Sequence, residues 1–472
     1  MPLPTIPSGN VASATAGAYE VANSCRFNDG DSAELSISPS SSSNRKTWTL
    51  SMWVKRCTLG QYYTLWRANG SGIDDYFSFQ NDDTLDWSFN SDGGFISTNR
   101  KFRDVSAWYH FVLRMDSTNA TAGDRQRLYV NGVEETSFST DTQVSQDTDG
   151  NTNNSAATHR IGASASSQYF DGYIAEVVLL DGTSAAPTEF GEFDEDSPTI
   201  WKPKDVSGLT FGTNGFYLDF KDSSNLGNNA GSGSSDFSES NLAATDQTTD
   251  SPTNNFCTMN PLQMAGTLSE GNCTYVPTAT AHTAEATFGI TAGKWYWEMR
   301  VSDDNQVMGL LENGISVVGN SDDNYPSYTI LNNGSTTWTA YNNVSAGNQG
   351  STFSGTAVTD SGNDIVMMAF DADNENLYVG LNGTWQNSGD PTSGATGTGA
   401  VITSVQARYG GTLVPFVGVS AGASRTFDVN FGNPTWSLSS AVNDGNGYGN
   451  FEYAPPSGFL ALCTKNLGSD GG

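Results

Sequence analysis

Apolar side chains recur at every second position through much of this chain. Between Thr47 and Lys55, Trp48, Leu50, Met52 and Val54 fall on one side, while Thr49, Ser51 and Lys55 fall on the other. A strand sends successive side chains to opposite faces, so this spacing predicts a half-buried strand. Tyr109, Phe111, Leu113 and Met115 form a second such face. Arg127 to Val130 leads into Asn131-Gly132, a dipeptide suited to the positive φ angles of a type I′ hairpin. Phe170 to Leu180 is nearly all apolar and predicts a strand buried on both faces. In the second half, Trp295, Trp297, Met299 and Val301 share a face. Asp364 to Phe370 reads as another strand, and Asp371 to Asn376 turns the chain. Leu377, Val379 and Leu381 then return on one face and run into Asn382-Gly383, and Pro415 to Val419 and Thr426 to Phe431 add two more strands. The helical period of 3.6 is not sustained from residue 21 to 200.

Many short antiparallel strands divided by turns predict an all-β fold of two antiparallel β-sandwich (jelly-roll) domains joined by a polar connector. Residues 1–20 read as an N-terminal arm and 21–200 as the first sandwich. Residues 201–256 read as a connector, because Lys221 to Asn255 is dominated by Asn, Ser, Gly, Thr and Asp. Residues 257–467 read as the second sandwich and 468–472 as a frayed tail. No tandem repeat of about 20 to 50 residues appears, which argues against a solenoid or propeller.

Charge narrows the partners. Among 472 residues, 51 are acidic and 21 basic, a formal net charge of −30. Such a polyanion repels phosphate backbones and anionic lipid, so neither nucleic acid nor membrane insertion is expected. Charged residues are only 15% of the total and aromatics reach 11%, a composition that suits folded strands rather than disorder. No run of apolar residues is long enough to span a bilayer. Cys25, Cys57, Cys257, Cys273 and Cys463 are odd in number and widely spaced, which predicts reduced, buried thiols in a chain made in a cytoplasm. The N-terminus has no basic region followed by an apolar core, so secretion by signal peptide is not expected.

Candidate chemistry is sparse. His110, His159 and His282 are the only histidines, and no Gly-x-Ser-x-Gly elbow accompanies them. No phosphate loop and no zinc spacing occurs. Asp74-Asp75, Asp82-Asp83, Asp147 with Asp149, and Asp322-Asp323 could offer oxygen ligands to calcium, but no fixed ligand spacing is present and solvated turn acids are the default reading of the same residues. No cofactor is otherwise expected. Sugar binding needs aromatic faces for C–H groups and polar groups for hydroxyls. Tyr62, Tyr63 and Trp66 cluster after Gly60, and Tyr76 and Trp87 flank acidic turns. Tyr325, Tyr328, Trp338 and Tyr341 cluster in the second half. The glycan-stacking candidates are therefore Tyr62, Tyr63, Trp66, Tyr76, Tyr325, Tyr328, Trp338 and Tyr341, several of which must serve the core.

Four segments in order carry a family resemblance: Trp48 to Lys55, Ala107 to Val112, Arg127 to Gly132, and Phe170 to Glu176. Together they resemble LamG-type, concanavalin A-like sandwiches. Gly293 to Glu298, Asn363 to Asp371 and Leu381 to Asn387 are similar to the opening strand and central hairpin of SPRY modules. The segments Gly191 to Asp196, Trp201 to Lys204, Gly212 to Phe220 and Ala243 to Phe256, with Pro455 to Cys463 near the end, resemble virion proteins of marine tailed phages. Concanavalin A-like glucanases place their carboxylates on one strand as Glu-x-Asp-x-x-Glu. The nearest approach here, Glu192 to Ser197, lacks the final Glu and follows Pro187 and Gly191 in loop-like sequence. Asp371 and Asp373 share a face but end a hairpin strand. The resemblance implies a virion component, namely a tail fibre, head fibre or capsid decoration, and the lack of a convincing catalytic constellation makes a non-enzymatic role the expectation. Its implied partners are other virion proteins and a host-surface polysaccharide, and its implied state is a homo-oligomer such as the fibre trimer. The alternatives are a purely structural decoration or assembly protein, and a polysaccharide-degrading glycoside hydrolase.

Overall fold

The computed structural model describes residues 19–70, 72–279, 282–301, 305–313, 327–332, 334–342, 350–359, 362–407, 410–420 and 425–470. They form two compact units, which divide between Asn254 and Asn255. Each unit is a β-sandwich.

The first sandwich packs two eight-stranded sheets face to face. Sheet I runs Val133–Glu134, Gln126–Val130, Trp108–Asp116, Thr47–Arg56, Gly172–Asp181, Ser24–Phe27 and Gln247–Thr248, with Phe216–Leu218 also on Gly172–Asp181. Sheet II runs Phe138–Thr142, Gly94–Thr98, Leu85–Phe89, Ile73–Phe79, Tyr63–Gly70, Thr158–Ile161, Glu34–Ile37 and Ser238–Ser240. The alternating residues meet between them. Trp48, Leu50, Met52 and Val54 of sheet I face a core that includes Leu65, Phe77, Phe79 and Trp87 of sheet II. Each large apolar side chain withdrawn in this way contributes roughly 1.5–3 kcal/mol. Asn131 and Gly132 have φ of 50° and 77°, the left-handed pair that the hairpin needs.

The polar side of Thr47–Arg56 is covered too, where half-burial was expected. Ser51 meets His110, and the fully buried Lys55 meets Asp250 at 2.6 Å. Trp108 donates its indole N–H to the other oxygen of Asp250 at 3.0 Å. Asp250 belongs to the stretch read above as a connector. Residues 201–254 are instead part of the first sandwich. Their aromatic side chains, Trp201, Phe211, Phe216, Tyr217, Phe220 and Phe237, are all buried, as are Val206, Leu218 and Leu226. Their polar side chains close turns, as where Asn229 accepts the Tyr217 N–H and donates to the Ser234 carbonyl. Composition resembled a linker because turn-forming residues outnumber the anchors.

The second sandwich packs a seven-stranded sheet on a nine-stranded one. Sheet III runs Met259–Met264, Thr283–Ala286, Leu413–Val419, Gln306–Glu312, Ser327–Asn332, Thr337–Asn342 and Gly350–Ser354. Sheet IV runs Gly266–Ser269, Thr274–Pro277, Phe427–Asn430, Lys294–Val301, Asp364–Asp371, Asn376–Leu381 and Thr384–Trp385. Ile402–Thr403 pairs with Asn376–Leu381, and Leu460–Ala461 lies parallel to Lys294–Val301. Trp295, Trp297, Met299 and Val301 enter the core, as their spacing predicts. The architecture is all-β, and the C-terminal Thr464–Asp470 forms one short helix. Among the described residues no helix is long and apolar enough to cross a membrane.

Candidate binding cleft on the first sandwich

A bulge in sheet II creates the candidate site. Tyr63–Gly70 slips register against Ile73–Phe79 between Thr64 and Trp66. The extra residue lets Leu65 and Trp66 both turn inward. Thr64 and Arg67 are thereby left on the outer face, opposite Ser78 and Tyr76 respectively. A cleft of about 270 Å³ opens there. Its floor is polar, with Thr64 and Ser78 buried. Half-buried Tyr76 and 46%-exposed Tyr62 supply aromatic walls. Gln80 lines it as well.

The loop from Ser164 to Gln168 closes one side. Ala165 and Gln168 take φ of 58° and 52°, and Ser164 pairs with Ser167 in an isolated bridge. Gln168 is tied to the sheet through its carbonyl, which accepts the Thr64 N–H at 2.9 Å, and its side chain meets the Thr64 hydroxyl at 3.2 Å. Arg67 spans the cleft. Its Nε and Nη2 donate to the two oxygens of Asp74 at 2.8 and 2.6 Å, and its Nη1 donates to Ser164. Burial, then the charges of Asp92, Asp86 and Asp74, push the Tyr76 hydroxyl up to about 12, with Arg67 acting the other way. The cleft thus offers aromatic faces, hydroxyls and amides, and one internally paired charge. That inventory suits a polyhydroxylated ligand.

Of the residues singled out from sequence, Tyr62 and Tyr76 line this cleft. Tyr63 and Trp66 do not, because both are buried in the core. Tyr63 hands its hydroxyl to Asp29 at 3.1 Å, and Trp66 packs beside His159 and Phe216. In the second sandwich Tyr328 and Trp338 are core residues whose polar atoms are satisfied by the Gln406 and Thr356 carbonyls. Tyr341 is half-buried against Val307, Leu311 and Phe416, and Tyr325 lies outside the described residues. Sequence reasoning missed Thr64, Arg67, Asp74, Ser78, Gln80, Ser164 and Gln168 as cleft residues. Asp74, Ser78 and Gln80 share the side of Tyr76 by simple alternation, Ser164 and Gln168 come from a distant loop, and the bulge brings Arg67 to the same face as Thr64.

The other candidates resolve into structural roles. Trp201 donates its indole N–H to His110 Nδ1 at 2.9 Å, so the ring proton sits on Nε2, which donates to Ser51 Oγ at 2.8 Å. Ser51 therefore faces a nitrogen that cannot take its proton. Burial pushes His110 down to about 3 and His159 to about 4, so both rings are neutral. Asp194 accepts the backbone N–H groups of Asp196 and Ser197 and pairs with Lys202, which makes it a turn anchor. Asp371 holds Asn374 and Lys294, and Asp373 accepts the Gly293 N–H. Asp75 is buried and accepts N–H groups from Asn90, Asn151 and Thr152. Asp83 holds Arg56 and Arg103, while Asp82 holds Thr84. Asp147 and Asp149 pair with Lys46 and Arg45, and Asp322-Asp323 lie outside the described residues. Among the described residues no group of three or more His, Cys, Asp or Glu could hold a metal ion. All five cysteines are buried free thiols.

Residues 29–186 match a laminin G-type family model of the concanavalin A-like lectin/glucanases superfamily. The first sandwich is concanavalin A-like. The match takes in every residue of the cleft. None of the curated proteins matches the chain. Solved structures with similarity include the SPRY domain of human HERC1, at 15% identity and a TM-score of 0.28, covering 36% of this chain and 96% of that one. A heptameric SAP-like pentraxin from Limulus polyphemus matches at 14% identity and 0.28, covering 36% and 80%. A candidate carbohydrate-binding protein from Bacteroides ovatus matches at 13% identity and 0.30, covering 43% and 53%.

Proposed function

We propose that this chain is a non-enzymatic glycan-binding component of a tailed-phage particle, which uses the cleft on its first sandwich for host-surface attachment. The carrying observation is the cleft itself. Two tyrosines, a row of short hydroxyl and amide side chains, and a paired Arg67–Asp74 converge on one outer sheet face of a concanavalin A-like sandwich. The virion setting is supported by the phage-like segments around residues 191–256 and 455–463. A particle assembled in the host cytoplasm is consistent with the five free thiols. On this reading the chain acts as a homo-oligomer among other virion proteins. A non-enzymatic role is supported by the anchoring duties of Asp194, Asp371 and Asp373 described above.

The test is a glycan array with the purified full chain and with Tyr76→Ala, alongside reducing-sugar release from the bound glycans. Binding that falls about tenfold or more in the variant, without sugar release, is expected. Sugar release would replace the reading with a glycoside hydrolase. The absence of any glycan binding would leave a purely structural subunit. Adsorption of particles lacking the chain tests the attachment role separately.

A further inference from the structure

We infer that the cleft selects uncharged glycans and rejects those carrying carboxylate or sulfate groups; this rests on the glycan-binding reading above. Arg67 is the one cation lining the cleft among the described residues. A guanidinium captures a carboxylate through two parallel N–H groups. In Arg67 that fork is already spent on Asp74, at 2.8 and 2.6 Å, and the third nitrogen donates to Ser164. Two N–H groups remain, one each on Nη1 and Nη2, and they suit single bonds to neutral hydroxyls. Asp74 keeps lone pairs that can accept a hydroxyl proton. The pair therefore presents both a donor and an acceptor while its charges cancel, which is what a sugar with vicinal hydroxyls requires.

The neighbouring strands tip the local field negative. Arg160 lies directly beside Arg67 across the sheet, but it faces Glu34 at 3.5 Å and donates to Asn69 at 2.8 Å. On the other side of Tyr76, Asp86 stands opposite Ser78, and Asp92 accepts the Ser88 hydroxyl at 2.7 Å. Among the described residues no basic side chain pairs with Asp86 or Asp92. Burial is the largest cause of the raised Tyr76 hydroxyl, and beyond it the charges of Asp92, Asp86 and Asp74 act on that group against the single guanidinium of Arg67. An anionic sugar entering here meets unpaired like charge and finds no free fork. The net charge of −30 adds a repulsive background.

The decisive experiment measures the affinity of the full chain for a set of neutral oligosaccharides and for the same oligosaccharides oxidised at C6 to uronates. Calorimetry at low and at high salt gives the comparison. Neutral sugars are expected to bind about tenfold tighter or more, with the gap narrowing as salt screens the field. Asp74→Asn releases the Arg67 fork and should raise uronate affinity about tenfold. Asp86→Asn leaves that ion pair intact, removes one unpaired anion, and should narrow the gap by a smaller factor. Equal or tighter binding of uronates by the unmodified chain overturns the selectivity while leaving glycan binding intact. If neither set binds, the glycan-binding reading falls and this inference falls with it.

Discussion

The two sandwiches share an architecture but treat their outer faces differently. In the first, the outer face of sheet I is buried under Phe190, Val206, Phe211 and Trp201, whereas sheet II keeps an open polar face with the cleft. In the second, both outer faces carry buried apolar side chains. Tyr296, Met367, Tyr378 and Phe451 cluster on sheet IV, and Val307, Leu311, Val414 and Phe416 on sheet III. The difference explains why aromatics that look alike in sequence have different uses. An aromatic over a polar floor, as at Tyr76, is available to a ligand. One with an apolar surround and a carbonyl for its polar atom, as at Trp338, is part of the scaffold.

The largest effects test the scaffold side of this contrast. Trp338→Ala should destabilise the second sandwich by about 3–5 kcal/mol, as large core truncations do, and leave glycan affinity unchanged in the folded fraction. Asp250→Ala should cost the first sandwich a comparable ~3–5 kcal/mol, because it leaves Lys55 buried without its carboxylate. Urea titration of each variant reads both changes. A small loss for Asp250→Ala would mean that the Lys55–Asp250 pair is not what holds this part of residues 201–254 to the sandwich.

Acid–base behaviour gives the next effect. Glu176 sits at a second bulge, with φ of 50°, beneath Tyr19 and Tyr217. Tyr217 donates to it at 2.8 Å, and Tyr19 reaches it at 3.0 Å. Burial pushes this carboxyl from 4.5 up to about 7, although both tyrosine hydroxyls and Lys221 oppose the shift. The folded state then binds the proton more tightly than the unfolded one. Its stabilising contribution is full below about pH 4.5 and is lost as the pH rises to about 7, a change of at most ~3 kcal/mol. Glu176→Gln should flatten that part of the stability profile and raise the melting temperature at pH 8. His110 and His159 slope the opposite way, losing stability as the pH falls below about 6.5, so the profile must be compared with the variant's and not read alone. An unchanged profile in Glu176→Gln would show that the carboxyl is not held away from water.

How much of this was legible beforehand follows the physics of strands. Period-two spacing located the core faces of Thr47–Arg56, Trp108–Asp116 and Lys294–Val301, because burial of one face enforces alternation. The Asn131-Gly132 and Asn382-Gly383 turns were readable, because few dipeptides tolerate two positive φ angles. Within residues 201–254 the apolar stretch Phe211 to Phe220 signalled a strand, and Phe216–Leu218 lies in it, whereas Ser238–Ser240 and Gln247–Thr248 are too short and too polar to show a period. At the cleft, alternation misled. From Tyr63 onward it places Leu65 and Arg67 with Tyr63, and Trp66 with Thr64. The bulge at Thr64–Trp66 inverts that assignment, drawing Trp66 into the core and sending Arg67 outward. Tyr62 and Tyr76 were named for their side chains; Asp74, Ser78 and Gln80 follow Tyr76 by alternation, whereas Arg67 depends on the bulge and Ser164 and Gln168 on a distant loop.

The smallest effect separates the two cleft tyrosines. Tyr76 is half-buried, held on a central strand between Arg67 and Ser88, so its ring is fixed before a ligand arrives. Tyr62 is 46% exposed and precedes the strand that begins at Tyr63. A sugar stacking on Tyr62 must first order that ring, which offsets much of the gain. Tyr62→Ala should therefore weaken binding only about threefold, against about tenfold for Tyr76→Ala, when both are titrated with the same neutral oligosaccharide. If Tyr62→Ala proves the more damaging, the ligand lies along the rim of the sandwich, and the polar floor of Thr64 and Ser78 is not what receives it.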